Sequence, residues 1–355
     1  MLKIELLKVY KSRHFSLEKR IKDNEISIKD IMKNNTITFD ALVNPKHYKF
    51  EKANCYLCQS DQNDFFLIGE EDLTGKEGSF LYVKCKNCQL VFQNPRIHKD
   101  QIKSFYDSEY IAHRKKIDWG FLTPLYEWAM NKHDRDKDII VSKYVNINSS
   151  SKVLDVGCAV GTFLLHLKKK YQCKVSGVDF KEDLNFAGKD LIDFHCGFFY
   201  DQNIPENSFD LVTMWHFLEH CYDPQKSLQM ARKVVKKSGK VVIEVPRLDS
   251  LTYMLFKEKW PGVQAPQHTV IFDKKNIIKM AENNGFRVVD YLPYGAFPSY
   301  FYIFAGTYFK LIGKGLNLNR IIAPYFLGQL LLSPILFFEK KLNLSMQTII
   351  CEKID

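Results

Sequence analysis

The sequence has 355 residues, 46% of them hydrophobic, which is enough to bury one large core with one or two small modules and excludes a disordered chain. Its net charge of +10 is spread along the chain and not concentrated in a tail, so it favours an anionic partner only weakly. Most of the nine cysteines are scattered singly, and charges interrupt the N-terminus every few residues. We therefore expect a cytoplasmic protein without a signal peptide.

The first hundred residues contain one chemical motif. Residues 1–50 carry short helical patterns and are interpreted as an extension of unassigned role. Residues 51–99 contain two C-x-x-C pairs, Cys55 with Cys58 and Cys85 with Cys88. This is the ligand number and spacing of a closed tetrahedral zinc site, and four thiolates leave no open position for water or substrate. The pattern predicts a zinc ribbon with a structural Zn²⁺, in preference to chance pairing or a redox role.

The remainder of the chain predicts an α/β domain. Residues 100–150 have helical spacing and are expected to form a connecting helical layer. From residue 151 to 355, apolar runs alternate with helical patterns: SKVLDV, KVSGVD, a short strand near Phe194, FDLVTM, KVVIEV, FRVVDYL and QTIICEKI. Alternation at this interval implies right-handed crossovers, so we predict a doubly wound, mostly parallel, seven-stranded Rossmann-like sheet behind the small ribbon.

The turn after the first of these strands, LDVGCAVG, indicates a ligand site. Gly157, Ala159 and Gly161 allow close approach of a ligand to the backbone, and Asp179 at the end of the next strand can accept both hydroxyls of a ribose. The turn reads G-x-A-x-G, whereas a dinucleotide site requires G-x-G-x-x-G. Asp155 would repel a pyrophosphate but suits the ammonium of a methionine moiety, so an adenosine-type ligand of that kind is predicted.

The segment LDVGCAVGTFL resembles the first motif of class I S-adenosylmethionine-dependent methyltransferases, and Asp179 resembles their acidic second motif. FDLVTMWHFLEHCYDP and SGKVVIEVPR are similar to their fourth- and fifth-strand regions, so the likeness covers roughly residues 100–292 and the last strand. It implies S-adenosylmethionine as the cofactor, Phe198 or Phe199 near the adenine, and Tyr106 beside Tyr110 closing over the ligand. The implied cofactor set is Asp155, Gly157, Cys158, Ala159, Gly161, Asp179, Phe180, Phe198, Met214, Trp215 and Tyr110.

The order of modules suggests an acceptor class. A cysteine ribbon, a helical segment and this core together resemble a bacterial group that acts on sugars or on surface-glycan and lipid-linked precursors. The resemblance implies O- or C-methylation of a sugar in surface-glycan or nucleotide-sugar biosynthesis. One alternative is O-methylation of a quinone-like or other lipid acceptor. Another is a non-catalytic zinc-ribbon interaction or nucleic-acid-binding protein, although no basic cluster with interleaved aromatic residues stands out.

Two histidines are candidates for acid–base chemistry. Methyl transfer depends mainly on alignment and desolvation, but an oxygen acceptor also requires a base. We expect His216, Glu219 and His220 on one face of the helix after strand four, with His220 as the base and Glu219 beside it. The stretch is similar to the E-x-x-E-H of quinone-precursor O-methyltransferases, which can bind a divalent ion. A metal there, or a purely structural Glu-His brace, is the alternative.

The segment WPGVQAPQHTVIF resembles a region of the same families in which a histidine follows a proline. This likeness places Trp260 and His268 near the acceptor pocket and makes His268 the second base candidate. The alternative is a hydrogen-bonded core histidine.

Residues 296–338 form an apolar insertion without an acidic residue, in which Lys310, Lys314 and Arg320 are the charges. We consider a cover over the acceptor pocket, a patch that lies on an anionic membrane surface, or a spanning helix. Pro324, Gly328 and Pro334 interrupt the uncharged run 321–338, and the run lies between two strands of one sheet. The spanning helix is therefore the least favoured, and a peripheral position at the inner face of the membrane remains an expectation.

Overall fold

A computed structural model describes residues 48–354, apart from 77, 107–122, 182–185, 187 and 317. Most of the N-terminal extension and the predicted cofactor residue Tyr110 therefore lie outside the described residues. The ribbon begins with the strand β1 (Phe50–Glu51) and continues with β2 (Asn63–Glu70), β3 (Ser79–Cys85), β4 (Val91–Gln93) and β5 (Arg96–Ile97). Strands β2, β3 and β4 form an antiparallel meander, and β1 pairs with β5.

The large domain follows a short 3₁₀ helix (Ile102–Phe105) and the helix α1 (Thr123–Val141). Its elements in chain order are β6 (Lys152–Val156), α2 (Thr162–Tyr171), β7 (Lys174–Asp179), β8 (Asp193–Cys196), β9 (Phe209–Trp215), α3 (Pro224–Val234), β10 (Val235–Pro246), α4 (Leu251–Phe256), β11 (Val270–Ile271), α5 (Lys274–Asn283) and β12 (Phe286–Leu292). After them come α6 (Ser299–Leu311), α7 (Leu318–Leu331), α8 (Ser333–Leu336) and β13 (Met346–Lys353).

Seven strands form the central sheet in the order β12-β13-β10-β9-β6-β7-β8. The strands from β6 to β10 run parallel, and β13 is antiparallel between β10 and β12. Leu154, Val212 and Ile243 at its centre are completely buried, as expected for a sheet covered on both faces. The predicted Rossmann-like, mostly parallel seven-stranded fold is therefore confirmed. The strand order reverses between β6 and β9, and this crevice is where open α/β sheets bind ligands.

The ribbon shares a sheet with the large domain. Strand β11 pairs with β4 and makes the meander four-stranded. The hydroxyl of Tyr82 lies 2.6 Å from the carbonyl of His268 and donates to it. Arg96 donates to the carbonyl of Tyr222 at 2.7 Å and stacks 4.4 Å from the centre of its ring. The ribbon that carries the four cysteines is thus packed directly against the loop that carries His268.

One predicted element differs from the structure. The segment with His216, Glu219 and His220 was expected to be an α-helix, but Leu218–His220 forms a single 3₁₀ turn and α3 begins at Pro224. His216 has a left-handed backbone conformation (φ 52°), which is incompatible with a helix at that position. The helix begins later because Asp223 caps it by accepting from the amide of Lys226.

The apolar insertion 296–338 forms the three helices α6, α7 and α8. Tyr325 of α7 packs on Tyr300 of α6, with ring centres 4.9 Å apart. Within the described part of the chain, no helix combines the length and apolarity needed to cross a bilayer.

Candidate active site

A cavity of about 930 Å³, including its open mouth, lies at the carboxyl ends of β6, β7 and β9. Its lining comes from the 3₁₀ helix after the ribbon, the glycine turn, the ends of β7 and β8, and the segment after β9. The lining residues are Lys99, Ile102, Lys103, Tyr106, Gly157, Ala159, Val178, Asp179, Phe180, Gly197, Phe198, Phe199, Tyr200, His216, Phe217, His220, Cys221, Tyr222 and Ser227.

The glycine turn and Asp179 form one hydrogen-bonded unit. The amide of Ala159 donates to one carboxylate oxygen of Asp179 at 3.0 Å, and the amide of Lys181 donates to the other at 3.0 Å. Gly157 has φ 76°, and a Cβ there would come within 2.9 Å of the Phe217 ring. The backbone therefore holds this carboxylate in place at the wall of the cavity beside a turn that admits a ligand closely.

The predicted cofactor residues divide into two groups. The structure brings Gly157, Ala159, Asp179, Phe180 and Phe198 together in the wall of the cavity, and Phe199 with Tyr106 joins them. Among the described residues, the lining does not include Asp155, Cys158, Gly161, Met214 or Trp215.

In the second group, the side chains of Asp155, Met214 and Trp215 are packed in the protein core. Met214 is completely buried, and Trp215 packs edge-on against Phe163 at 5.7 Å. Asp155 is buried and accepts a hydrogen bond of 2.6 Å from the hydroxyl of Thr213. Burial raises the pKa of Asp155 to about 6. Because the ends of β6 and β9 lie at the centre of the sheet, their side chains fill the core beneath the cavity.

His216 lies between two buried carboxylates. Its Nε2 is 3.1 Å from Glu244 and its Nδ1 is 3.3 Å from Glu219, and both glutamates are at most 1% exposed. Burial opposes the charged imidazole, but the close contacts with the carboxylates of Glu219 and Glu244 outweigh it and raise the pKa of His216 to about 9. His216 is thus a fixed cation at the cavity wall, and Glu244, on β10, is a partner that local sequence spacing did not reveal.

The pKa of His220 is shifted in the opposite direction from that of His216. Its Nδ1 donates to the carbonyl of Gln267 at 3.1 Å and lies 2.9 Å from the hydroxyl of Tyr106, which leaves Nε2 as the atom with a free lone pair. Burial and then the neighbouring His268 lower the pKa of His220 to about 3. The ring is therefore neutral, and it contributes to the cavity wall.

His268 is deeper than His220. Its ring centre is 4.5 Å from that of His220, and its Nδ1 donates to the carbonyl of Gly262 at 2.8 Å. Burial lowers its pKa to about 3. His268 is 3% exposed and is not among the described residues that line the cavity.

Glu219, His220 and His268 offer ligand atoms that all lie within 4.8 Å of one another, so this group has the geometry to hold a metal ion. Apart from the charged contact with His216, neither carboxylate oxygen of Glu219 receives a regular hydrogen bond from the described part of the protein. The ion pair with His216 is therefore the main polar contact of this carboxylate within the described part of the chain.

The four predicted zinc ligands also form a cluster. The Sγ atoms of Cys55 and Cys88 are 3.3 Å apart, those of Cys58 and Cys85 are 3.5 Å apart, and all four lie within 4.8 Å of one another. Matching turns carry the two pairs, because the amides of Gln59 and Gln89 bond back to the first cysteine of each. The donor set and the closed shape fit a tetrahedral structural Zn²⁺.

Sequence reasoning missed the cationic side of the cavity. Lys99 and Lys103 line it beside Ile102. The two lysines are four residues apart, a spacing that predicts one common face if the segment after the ribbon is helical. Their distance in sequence from the glycine turn gave no sign that they line the same cavity.

Residues 133–291 match the family model described as a methyltransferase domain. The chain is 28% identical over 100 residues to ajmaline N-methyltransferase from Rauvolfia serpentina, covering 26% of this chain and 34% of that one. It is 31% identical over 137 residues to demethylmenaquinone methyltransferase from Staphylococcus saprophyticus, covering 33% and 59%. It thus spans less than two thirds of these curated relatives.

Among solved structures, geranyl diphosphate C-methyltransferase from Streptomyces coelicolor A3(2) superposes with a TM-score of 0.45 at 9% identity, covering 65% of this chain and 82% of that one.

Proposed function

We propose that this protein is an S-adenosylmethionine-dependent methyltransferase that acts on a phosphorylated sugar, either a nucleotide sugar or a lipid-linked glycan precursor. The observation that carries the proposal is the carboxylate of Asp179, which two backbone amides hold at the cavity wall beside Gly157. The match of residues 133–291 to a methyltransferase domain supports it.

The cavity fits the cofactor in shape and polarity. Asp179 would accept the ribose hydroxyls, and Gly157 and Ala159 would allow the methionine part to approach the backbone. Phe198 stacks on Tyr200 with ring planes 2° apart, which gives a flat apolar wall for the adenine. When bound, S-adenosylmethionine provides an electrophilic methyl group on a sulfonium. The protein's contribution is then to align the acceptor and exclude water.

The acceptor class follows from the residues around the remainder of the cavity. Lys99 and Lys103 favour an anionic group such as a phosphate or diphosphate. Tyr106 and Tyr222 provide ring faces of the kind that pack against sugars. Nucleotide sugars and lipid-linked sugars both carry phosphate, whereas a quinone does not. The charge of the cavity therefore supports the phosphorylated acceptor.

His220 is the candidate base. Its Nε2 is unprotonated, and the ring is held by Gln267. Removal of a proton from a hydroxyl or from an activated carbon would turn the His220 ring into an imidazolium. The charge of Glu219 favours that form, whereas burial and His268 oppose it and keep the pKa low. Because His220 lies in the cavity wall and His268 does not, the structure favours His220 between the two predicted candidates.

The test is binding of S-adenosylmethionine by isothermal titration calorimetry. The wild-type protein should bind with a micromolar dissociation constant, and Asp179→Ala should weaken binding at least about 100-fold because the ribose loses its acceptor. Asp190→Ala, on an exposed turn of the same domain, is the matched control and should bind as the wild type does. Absence of binding by the wild type would refute the proposed function.

A second candidate is a quinone-like lipid acceptor, which the 31% identity to a demethylmenaquinone methyltransferase favours. Radiolabelled methyl transfer to nucleotide sugars, lipid-linked sugars and prenylated quinone precursors distinguishes the two. Transfer to the quinone precursors alone would replace the sugar proposal. Salt-dependent retention of RNA without methyl transfer to any acceptor would instead favour the non-catalytic, nucleic-acid-binding alternative.

A further inference from the structure

The largest unexplained feature of the surface is apolar. Sixteen large apolar side chains are exposed in the described part of the chain, and eleven of them lie in residues 251–255, 311–312 and 327–338. We call these eleven side chains the apolar face. Phe337 is 83% exposed, Leu311 77%, Leu331 71% and Leu330 70%. A concentration of this kind is unusual for a monomer in water and indicates an interaction surface.

The segments of the apolar face are connected. The Lys310 side chain at the end of α6 donates to the carbonyl of Leu255 on α4, and the amide of Leu251 donates to the carbonyl of Asn343. Residues 338–342 continue from α8 to that same loop, where the amide of Leu342 bonds to Phe338. The start of α4 thus contacts the loop after α8, and the end of α4 contacts the end of α6.

The charges around the apolar face are mainly positive. Lys257, Lys310, Lys340 and Lys341 are exposed within or beside it, and residues 296–338 contain no acidic residue. Glu339 does not offset them, because its carboxylate turns inward and accepts the amide of Ser299. Two exposed acids lie in the described neighbourhood, Glu258 and Asp249, and Asp249 is paired with Arg247 at 2.7 Å.

We propose that the apolar face docks this protein on the surface of a lipid bilayer that contains anionic lipids. Leucine, isoleucine and phenylalanine enter the acyl boundary, while the lysines contact the headgroups. Six of the eleven side chains are leucine, a residue that is under-represented in protein–protein hot spots. In a twofold dimer through this face the lysines would oppose one another, which disfavours a second copy of the chain as the occupant.

The insertion that carries most of the apolar face begins beside the cavity wall. Phe297, at the start of the insertion, packs on His216 with ring centres 4.9 Å apart, and its amide donates to Glu244. The start of the insertion is therefore anchored at the wall of the cavity. Delivery of a lipid-linked acceptor from that bilayer rests on the proposed function, whereas docking itself does not.

The experiment is co-sedimentation of the full chain with vesicles of phosphatidylcholine alone or of phosphatidylcholine and phosphatidylglycerol in equal amounts. The wild type should bind the anionic vesicles at least about tenfold more strongly. Leu330→Glu with Phe337→Glu should reduce binding at least about tenfold, and Lys340→Glu with Lys341→Glu should remove the preference for anionic lipid. Ile139→Glu changes an equally apolar residue, 53% exposed on α1, and should bind as the wild type does.

Two results would overturn the proposal. One is an absence of vesicle binding at low salt by a wild-type protein that still binds S-adenosylmethionine. The other is a dimer in analytical ultracentrifugation that Leu330→Glu with Phe337→Glu dissociates, because the face would then be an interface between copies. Calorimetric binding of S-adenosylmethionine in solution is measured separately, so failure of docking is distinguishable from failure of the methyltransferase proposal.

Discussion

At the scale of single residues, three histidines close together have different electrostatic states. His216 lies between Glu219 and Glu244 and has a pKa of about 9, whereas His220 and His268 have pKa values of about 3. Direct contact with carboxylates accounts for the difference, because the two neutral rings bond to backbone carbonyls instead. A cationic ring, His216, and a neutral ring, His220, thus lie four residues apart in the chain.

The base assignment predicts unequal effects of two substitutions. His220→Ala should lower kcat for an oxygen acceptor by about 100-fold or more and leave cofactor binding unchanged, since general-base catalysis contributes factors of this size. His268→Ala should act mainly on stability, because this ring is buried and bonded to Gly262. His195→Ala, on β8, is the control, and steady-state kinetics is the measurement. Wild-type turnover by His220→Ala would show that the base lies elsewhere.

At the scale of elements, the ribbon and the large domain share one four-stranded sheet. Strand β11 completes the ribbon sheet and directly follows His268 in the chain. Tyr82 of β3 donates to the carbonyls of both Val263 and His268. Movement of the ribbon would therefore displace the loop that supports His220 through Gln267.

This arrangement predicts that the zinc site stabilises more than the ribbon. The purified protein should contain one Zn²⁺ per chain by elemental analysis. Cys88→Ser should lower Tm by about 6–12 °C, corresponding to a loss of about 3 kcal/mol, and should also reduce methyl transfer. Cys196→Ser replaces an exposed cysteine outside the cluster and should change neither. A metal-free wild-type protein of full stability would contradict the assignment.

At the scale of the whole molecule, buried ionised groups make stability depend on pH. The pKa of His216 is raised from about 6.5 in the unfolded chain to about 9 in the folded one. The stabilisation is therefore complete below pH 6.5 and is lost as pH rises through 9, since the folded state then releases the proton. Its size is on the order of 3 kcal/mol.

The corresponding measurement is Tm as a function of pH by differential scanning calorimetry. Wild-type Tm should fall by several degrees between pH 6.5 and 9. His216→Gln should have a lower Tm at pH 6.5 and a much flatter profile over that interval, because it has no proton to lose. An equally steep decline in the variant would mean that another group is responsible.

Much of this molecule was predictable from local pattern. The order of strands and helices, the two cysteine pairs and the placement of Asp179 beside the glycine turn all follow from short-range periodicity and spacing. The helix predicted at His216 does not form, because His216 has a left-handed backbone and Asp223 caps a helix that begins later. Hydrophobic periodicity carries no information about either feature. Met214 and Trp215 likewise follow a recognisable motif, yet the sheet buries both side chains.

By itself, the sequence determined the fold class, the cysteine cluster and the edge of the sheet at which the cavity lies, because strand period and residue spacing act over a few residues. Tertiary structure alone decided which groups meet at that edge. His220 contacts His268 and Tyr106, and His216 contacts Glu244, while Lys99 lines the same cavity as the glycine turn. Each of these groups comes from segments that only the packing of the ribbon and sheet brings together.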